Sequence, residues 1–239
     1  MQWLKNVARE IILCYTIKIQ KGGDAVKDIP AFVTDWGVAS LIFKEIPYKS
    51  IAYIRVQDVQ PGHIRDLCQE CAQFCRAAGA ETVLASGHPD LAVYPYFGSV
   101  MTMNLSGFAR EPGEACLFPV TEQTVSRWRQ IYNEKMRDID FAATMTRSDE
   151  KDILKSGGAY FVHRAGKLLG IGWMEGSELL AIAAAERGKG EAVLRALLTI
   201  ADSDRVTLDV AASNTRAIRF YERMGFLMTG EKNRSYRIR

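Results

Sequence analysis

From Glu186 to Ala192 the chain reads ERGKGEA, two glycines and two basic residues where an apolar run gives way to an amphipathic one. The first turn of a helix offers backbone N–H groups that have no partner inside the helix, and the macrodipole adds positive potential there. Glycines remove the side chains that would keep a ligand off those donors, so an anion can rest directly on the main chain. Arg187 and Lys189 add mobile positive charge, and a pyrophosphate suits the whole arrangement. A tight turn between strand and helix would use glycines too. Two nucleotide motifs fail on spacing: a dinucleotide fingerprint needs a third glycine where Val193 stands, and a Walker loop needs a longer glycine interval ending in Lys and Ser or Thr.

A second grouping is CQECAQFC, which puts Cys68, Cys71 and Cys75 on one helical face. No fourth thiol lies nearby to complete a metal site, and small apolar thiols commonly line buried helix faces, so the expected role is structural and no metal is expected. Five cysteines are an odd number with no secretory leader before them, which favours free thiols. The charged start MQWLKNVARE is no signal peptide, and the longest apolar stretch, LLAIAAA at 179–185, is far below the ~20 residues of a membrane span. A formal charge of +3 over 239 residues gives no ground for nucleic-acid binding. The expectation is a cytoplasmic protein, monomer or homodimer, with neither membrane nor nucleic acid as partner.

The elements that must position the loop follow from periodicity. All seven prolines and five cysteines precede residue 120, and the stretch at 106–120 has the composition of a connector. The chain therefore divides into 1–118 and 119–239. In the second part, TEQTVSRWRQIYNEKM and SDEKDILKSGG read as capped helices, with a Thr121/Thr124 capping box and Ser148 as the second cap. AYFVH, LLGIGWM and ELLAIAA are runs joined by short glycine turns, an antiparallel meander. A helix over 189–201, the strand RVTLDVA, the helix NTRAIRFYERMG and the strand RSYRIR complete the order ααβββαβαβ. The first part contains strands in IILCYTIKIQ, VASLIFKEI, SIAYIRVQDV and ETVLAS, with a helix over the cysteines. The fold class is mixed α/β, a mostly antiparallel sheet flanked by helices.

With the elements placed, RGKGEA resembles the Q/R-x-x-G-x-G/A signature of the GNAT superfamily of acyl-CoA-dependent N-acetyltransferases, and LDVAASNTRAIRFYERMGF resembles that family's strand, Asn and Tyr-bearing helix. The likeness covers about residues 120–239. It implies a GNAT-like fold, with the first half a degenerate second copy that binds no CoA, since Pro61 removes a donor from its corresponding loop. It implies an acetyl-CoA co-substrate contacting Ala181, Ile182, Arg187, Gly188, Lys189, Gly190, Glu191, Ala192, Asn214, Ala217 and Tyr221, and an acceptor amine, of a small molecule or a peptide, attacking the thioester directly. Tyr221 is the implied proton donor to the departing thiolate, a phenol near pKa 10 facing a thiol near 8.5; the alternative is a helix aromatic packed on the sheet. Asn214 contacts the co-substrate, caps the helix, or does both. Arg219 and Arg223, four apart, reach CoA phosphates or stand in solvent. For the general base Glu175 is preferred over Glu178 and His163. Asn133, Glu134 and Asp138 orient a cationic amine or belong to a polar connector. A non-catalytic acetyl-CoA sensor is the competing class, and the basic tail EKNRSYRIR leaves an RNA-binding reading open.

Overall fold

The computed structural model describes residues 28–111 and 113–239. The strand expected at 11–20 and Cys14 fall outside them. The described chain forms two compact units, one of residues 28–97 with Ser235–Arg239 and one of Gly98–Arg234. The second unit thus begins ahead of the 106–120 connector, and the chain's last residues belong to the first.

In the first unit, β1 (Ile29–Val33), β2 (Gly37–Ile42) and β3 (Ile51–Val59) pair antiparallel, with the short helix α1 (Ile46–Lys49) before β3. Helix α2 (Ile64–Ala77) then crosses to β4 (Thr82–Ser86), which lies parallel to β3. Ile238 to Tyr236, at the end of the final strand, close the other side of β4. The cysteine-bearing face of α2 is fully buried: Leu67, Cys68, Cys71 and Cys75 pack on Leu41, Ala52 and Ile54. That burial pushes the thiols of Cys68 and Cys75 up to about 12, as expected for thiols that fill a core.

The second unit holds β5 (Tyr96–Ser106, from Gly98 on), β6 (Cys116–Pro119), β7 (Ala159–Arg164), β8 (Lys167–Glu175), β9 (Glu178–Ala184), β10 (Arg205–Ala211) and the start of β11 (Leu227–Ile238). Their order is β11-β5-β10-β9-β8-β7-β6, antiparallel at β5/β10 and throughout the β6–β9 run, and parallel at β9/β10. The connector is therefore only partly irregular, because its Leu117 and Phe118 enter the sheet opposite Val162 and Phe161.

Helices cover both faces. On one, α3 (Val125–Met136) and α4 (Glu150–Ser156) bury Trp128, Tyr132 and Ile153 against Phe161, Ile171, Ala181 and Ala183. Half of the expected capping box forms at the start of α3: the Thr124 hydroxyl accepts from the Thr121 N–H at 2.9 Å, while no side chain caps the helix's own first N–H groups. Asp149, not Ser148, is the cap residue of α4, and its carboxylate ties down the Thr146 N–H at 2.6 Å. On the other face, α5 (Gly190–Leu198) crosses from β9 to β10, and α6 (Thr215–Arg223) from β10 to β11.

Two glycines in β8 decide how close α5 lies. A Cβ at Gly172 would sit 2.2 Å from Leu197 Cδ1, and one at Gly170 would sit 2.9 Å from Val193 Cγ2 and 2.3 Å from the Ala183 carbonyl oxygen. Only bare backbone admits the helix there. The close seat holds the N-terminus of α5 at the end of β9.

Candidate active site

The parallel pair β9/β10 is joined at two positions only, Glu178 with Thr207 and Leu179 with Leu208. Beyond them each strand stays with its outer neighbour. β9 follows β8 from Ala181 to Ala184, while β10 follows β5 from Asp209 to Ala211. The strands part where β9 carries an extra residue, since Trp173 and Met174 are consecutive on β8 but face Ala181 and Leu179. Leu180 is thus bulged and 41% exposed. A bulge raises twist and bends its strand, which accounts for the separation at this point and leaves one edge of β9 open.

Directly after that edge the chain turns through Ala185–Lys189. Gly188 adopts φ +86°, a left-handed conformation that a side chain would strain. Lys189 N–H closes the turn onto the Glu186 carbonyl at 3.3 Å, and the Lys189 carbonyl accepts from Val193 N–H at 3.2 Å. Among the described residues, nothing accepts from the N–H groups of Gly190, Glu191 and Ala192. No side chain caps α5 either. Three main-chain donors therefore point out of a helix end that bears a positive partial charge.

α6 completes the site. Asn214 Oδ1 accepts from Ala217 N–H at 3.1 Å, a plain N-cap, while Asn214 also borders the cleft. The Phe220 ring lies 3.4 Å from where a Cβ on Gly190 would stand, so α6 rests against the start of α5. A larger residue at position 190 would thus meet Phe220 first, and not open solvent at the end of the helix. Tyr221 is 8% exposed and packs on the rings of Phe220 and Phe226 at 5.3 and 5.5 Å. Burial alone drives its phenol well above the ordinary tyrosine range, with no hydrogen bond or charge to offset it. The group is a neutral O–H at any physiological pH.

These pieces border one open cleft of about 1250 Å³. Of the residues expected from sequence, it brings together Ile182, Arg187, Gly188, Gly190, Glu191, Asn214, Ala217 and Tyr221. Ala181 turns instead into the core beneath α3, Ala192 packs on the apolar cluster under α5, and Lys189 contributes its backbone to the turn. Glu175 stands apart, bordering a smaller cleft with Lys155 and Asp202, where it accepts from Trp173 Nε1 at 3.1 Å. Glu178 is held at the joined end of β9, and His163 lies between the rings of Phe118 and Phe161 on β7. Asn133 is committed to structure: its amide both donates to and accepts from the Met145 backbone, at 2.8 and 2.9 Å. Glu134 and Asp138 are not part of the cleft wall. Sequence reasoning missed Lys135, which donates to the Ala185 carbonyl at 3.1 Å, and Asp140, whose carboxylate accepts from Ser213 Oγ at 2.6 Å beside the start of α6. Neither carries a local signal, since each meets a partner at least 50 residues away.

Residues 125–226 match the family model described as the acetyltransferase (GNAT) family. No curated protein matches the chain in sequence. Among solved structures, the chain resembles a GCN5-related N-acetyltransferase from Sphaerobacter thermophilus, with 14% identity over 96% of this chain and 84% of that one and a TM-score of 0.57. It resembles a functionally unknown conserved protein from Staphylococcus epidermidis at 11% identity, over 92% and 94% of the two chains, with a TM-score of 0.53. A tandem GNAT protein from the clavulanic acid biosynthesis pathway matches at 14% identity over 85% of this chain and 78% of that one, with a TM-score of 0.51. At such identities the likeness is one of fold. No described helix is long and apolar enough to cross a membrane, and no three described His, Cys, Asp or Glu side chains cluster to hold a metal ion.

Proposed function

Because residues 125–226 match the family model described as the acetyltransferase (GNAT) family, we propose that the protein transfers an acetyl group from acetyl-CoA to a primary amine of a small molecule or peptide. The observation that carries this reading is the shared cleft: an open strand edge, the free helix-terminal donors of Gly190 and Glu191 and a buried neutral phenol all border it. The pyrophosphate lies on the N–H groups of Gly190, Glu191 and Ala192, beside Arg187. The amide-bearing pantetheine arm runs along β9 near Ile182, where unpaired backbone groups take it as they would an added strand.

The amine nitrogen attacks the thioester carbonyl carbon, the carbon–sulfur bond breaks, and the sulfur leaves as a thiolate that takes the proton of Tyr221. The amine's own proton passes to solvent, and a proton from solvent restores the Tyr221 O–H, so that the cycle closes; Glu175 borders a separate cleft. The first unit takes no co-substrate. Its turn before α2 contains Pro61, and Asp66 puts a carboxylate at the helix start, held by His63 Nδ1 at 2.8 Å, where an anion would have to sit.

Calorimetric titration with acetyl-CoA, followed by a thiol-release assay over a panel of amines, tests the proposal. Binding with amine-dependent thiol release is the expected result. Absence of binding removes the proposal, and binding without release for any amine makes the protein a sensor of the thioester.

A further inference from the structure

β10 carries a carboxylate at the point where it parts from β9. Leu208 is its last residue joined to that strand, and Leu208 and Val210 both pack into the cluster under α5 and α6. Strand alternation therefore turns Asp209 to the opposite face of the sheet. There its carboxylate accepts from Thr102 Oγ1 on β5 at 2.8 Å and from Lys232 Nζ on β11. β5 lies between β10 and β11, so the lysine stem crosses a whole strand to reach its partner. The charge of Glu178, on β9 opposite Thr207, also acts on this ammonium. The hydrogen bond to Asp209, with the two carboxylate charges, lifts the Lys232 pKa above the ordinary lysine value. Lys232 thus holds a primary amine over β10, served by one carboxylate from each of the two parting strands.

On the acetyl-CoA reading, the acyl end of the co-substrate comes to this point. The open edge of β9 runs from Ala185 back to the bulge at Leu180, about 17 Å of extended strand. An arm that enters beside Gly190 and follows that edge meets its closed end at the Leu179–Leu208 pair. The thioester then lies one residue from Asp209. A primary amine is the group the proposed reaction consumes, and the chain supplies one of its own at this place. The side chains of Lys232 and Asp209 are 57% and 28% exposed, and an ion pair so open to water is held weakly enough to separate.

We infer that Lys232 is a site of self-acetylation, its amine taking the acetyl group of the bound thioester. This rests on the acetyl-CoA reading and adds to it a modification of the chain itself. Asp209 takes one proton from the ammonium and passes it to solvent. The freed nitrogen lone pair forms the amide bond to the acetyl carbon as the carbon–sulfur bond breaks. The nitrogen's second surplus proton goes to solvent, and the sulfur takes the proton of Tyr221, which solvent replaces. Neutral acetyl-lysine forms no ion pair with Asp209, whose carboxylate is then open at the parting of the strands.

Full-length protein is incubated with acetyl-CoA and no other amine, and peptide mass spectrometry follows each lysine with time. Lys232 is expected to be acetylated at least roughly tenfold faster than the exposed Lys151 and Lys167, at a first-order rate independent of protein concentration. An excess of desulfo-CoA, which fills the cleft without reacting, should slow Lys232 to the rate of Lys151. A Lys232→Arg variant, which keeps a cation for Asp209, should lose the amine-independent thiol release that wild type shows. Labelling of Lys232 no faster than of Lys151, in protein that binds acetyl-CoA by calorimetry, overturns the inference alone. Fast labelling that persists under desulfo-CoA also overturns it, because the acetyl group then does not come from the bound thioester. If the protein binds no acetyl-CoA, this inference and the acetyltransferase reading fall together. The wild-type measurements decide the matter even if the variant folds poorly.

Discussion

Replacing Tyr221 with Phe separates the chemistry proposed here from packing. The ring keeps its contacts with Phe220 and Phe226, and the lost hydroxyl forms no hydrogen bond that steadies the fold, burial being the sole influence on it. Stability should change by no more than about 1 kcal/mol, a shift of roughly 2–4 °C in Tm. Turnover should fall by about 10²–10⁴, the range of a lost general acid, or roughly 3–5 kcal/mol of barrier, with acetyl-CoA affinity nearly unchanged. Thiol release at saturating acetyl-CoA and amine, with calorimetry on the same preparations, reads both quantities. The pH profile gives a second check. A phenol whose pKa is raised in the fold stays protonated below its ordinary value of 10.0. Its contribution to stability is therefore complete below about pH 10 and is lost as pH rises through the folded value, and the wild-type rate should show no Tyr221-dependent fall below pH 10. Turnover within two- to threefold of wild type in the Phe variant, at equal affinity, would reduce Tyr221 to a packing residue.

Gly170→Ala places a Cβ 2.3 Å from the Ala183 carbonyl oxygen and 3.1 Å from Ala184 Cα, clashes with main chain that no rotamer relieves. It should cost about 1–3 kcal/mol and weaken acetyl-CoA binding by displacing β9; thermal melts should show the loss beside Gly113→Ala, which faces open space and should be neutral within about 0.5 kcal/mol. In native protein at pH 8, iodoacetamide should label the exposed Cys116 and spare Cys68, Cys71 and Cys75, whose burial disfavours the thiolate. Peptide mass spectrometry checks this, and native labelling of the α2 thiols would refute the closed core.

Local rules, read along the chain, settle much of the second unit. Alternation and glycine turns place β7, β8 and β9, the Asn214 cap and a closing glycine bound α6, and the bare amides at Gly190 follow from a glycine turn running into an amphipathic helix. One-dimensional pattern says which face of an element is buried, because that depends on the chain's own period. It does not say which edge stays open or which distant residue comes near. The parting of β9 from β10 depends on a bulge at Leu180 that alternation does not mark, and the seat of α5 depends on Leu197 meeting Gly172. Glu175 and Tyr221 both fitted the chemistry on paper, but strand direction sends one carboxylate to another cleft and leaves the phenol at this one. The sharing of the final strand likewise lies beyond local pattern: Tyr236 to Ile238 find their partners on β4, about 150 residues earlier. Such pairings are set by the packing of whole layers, and the sequence states only the surfaces that packing must bury.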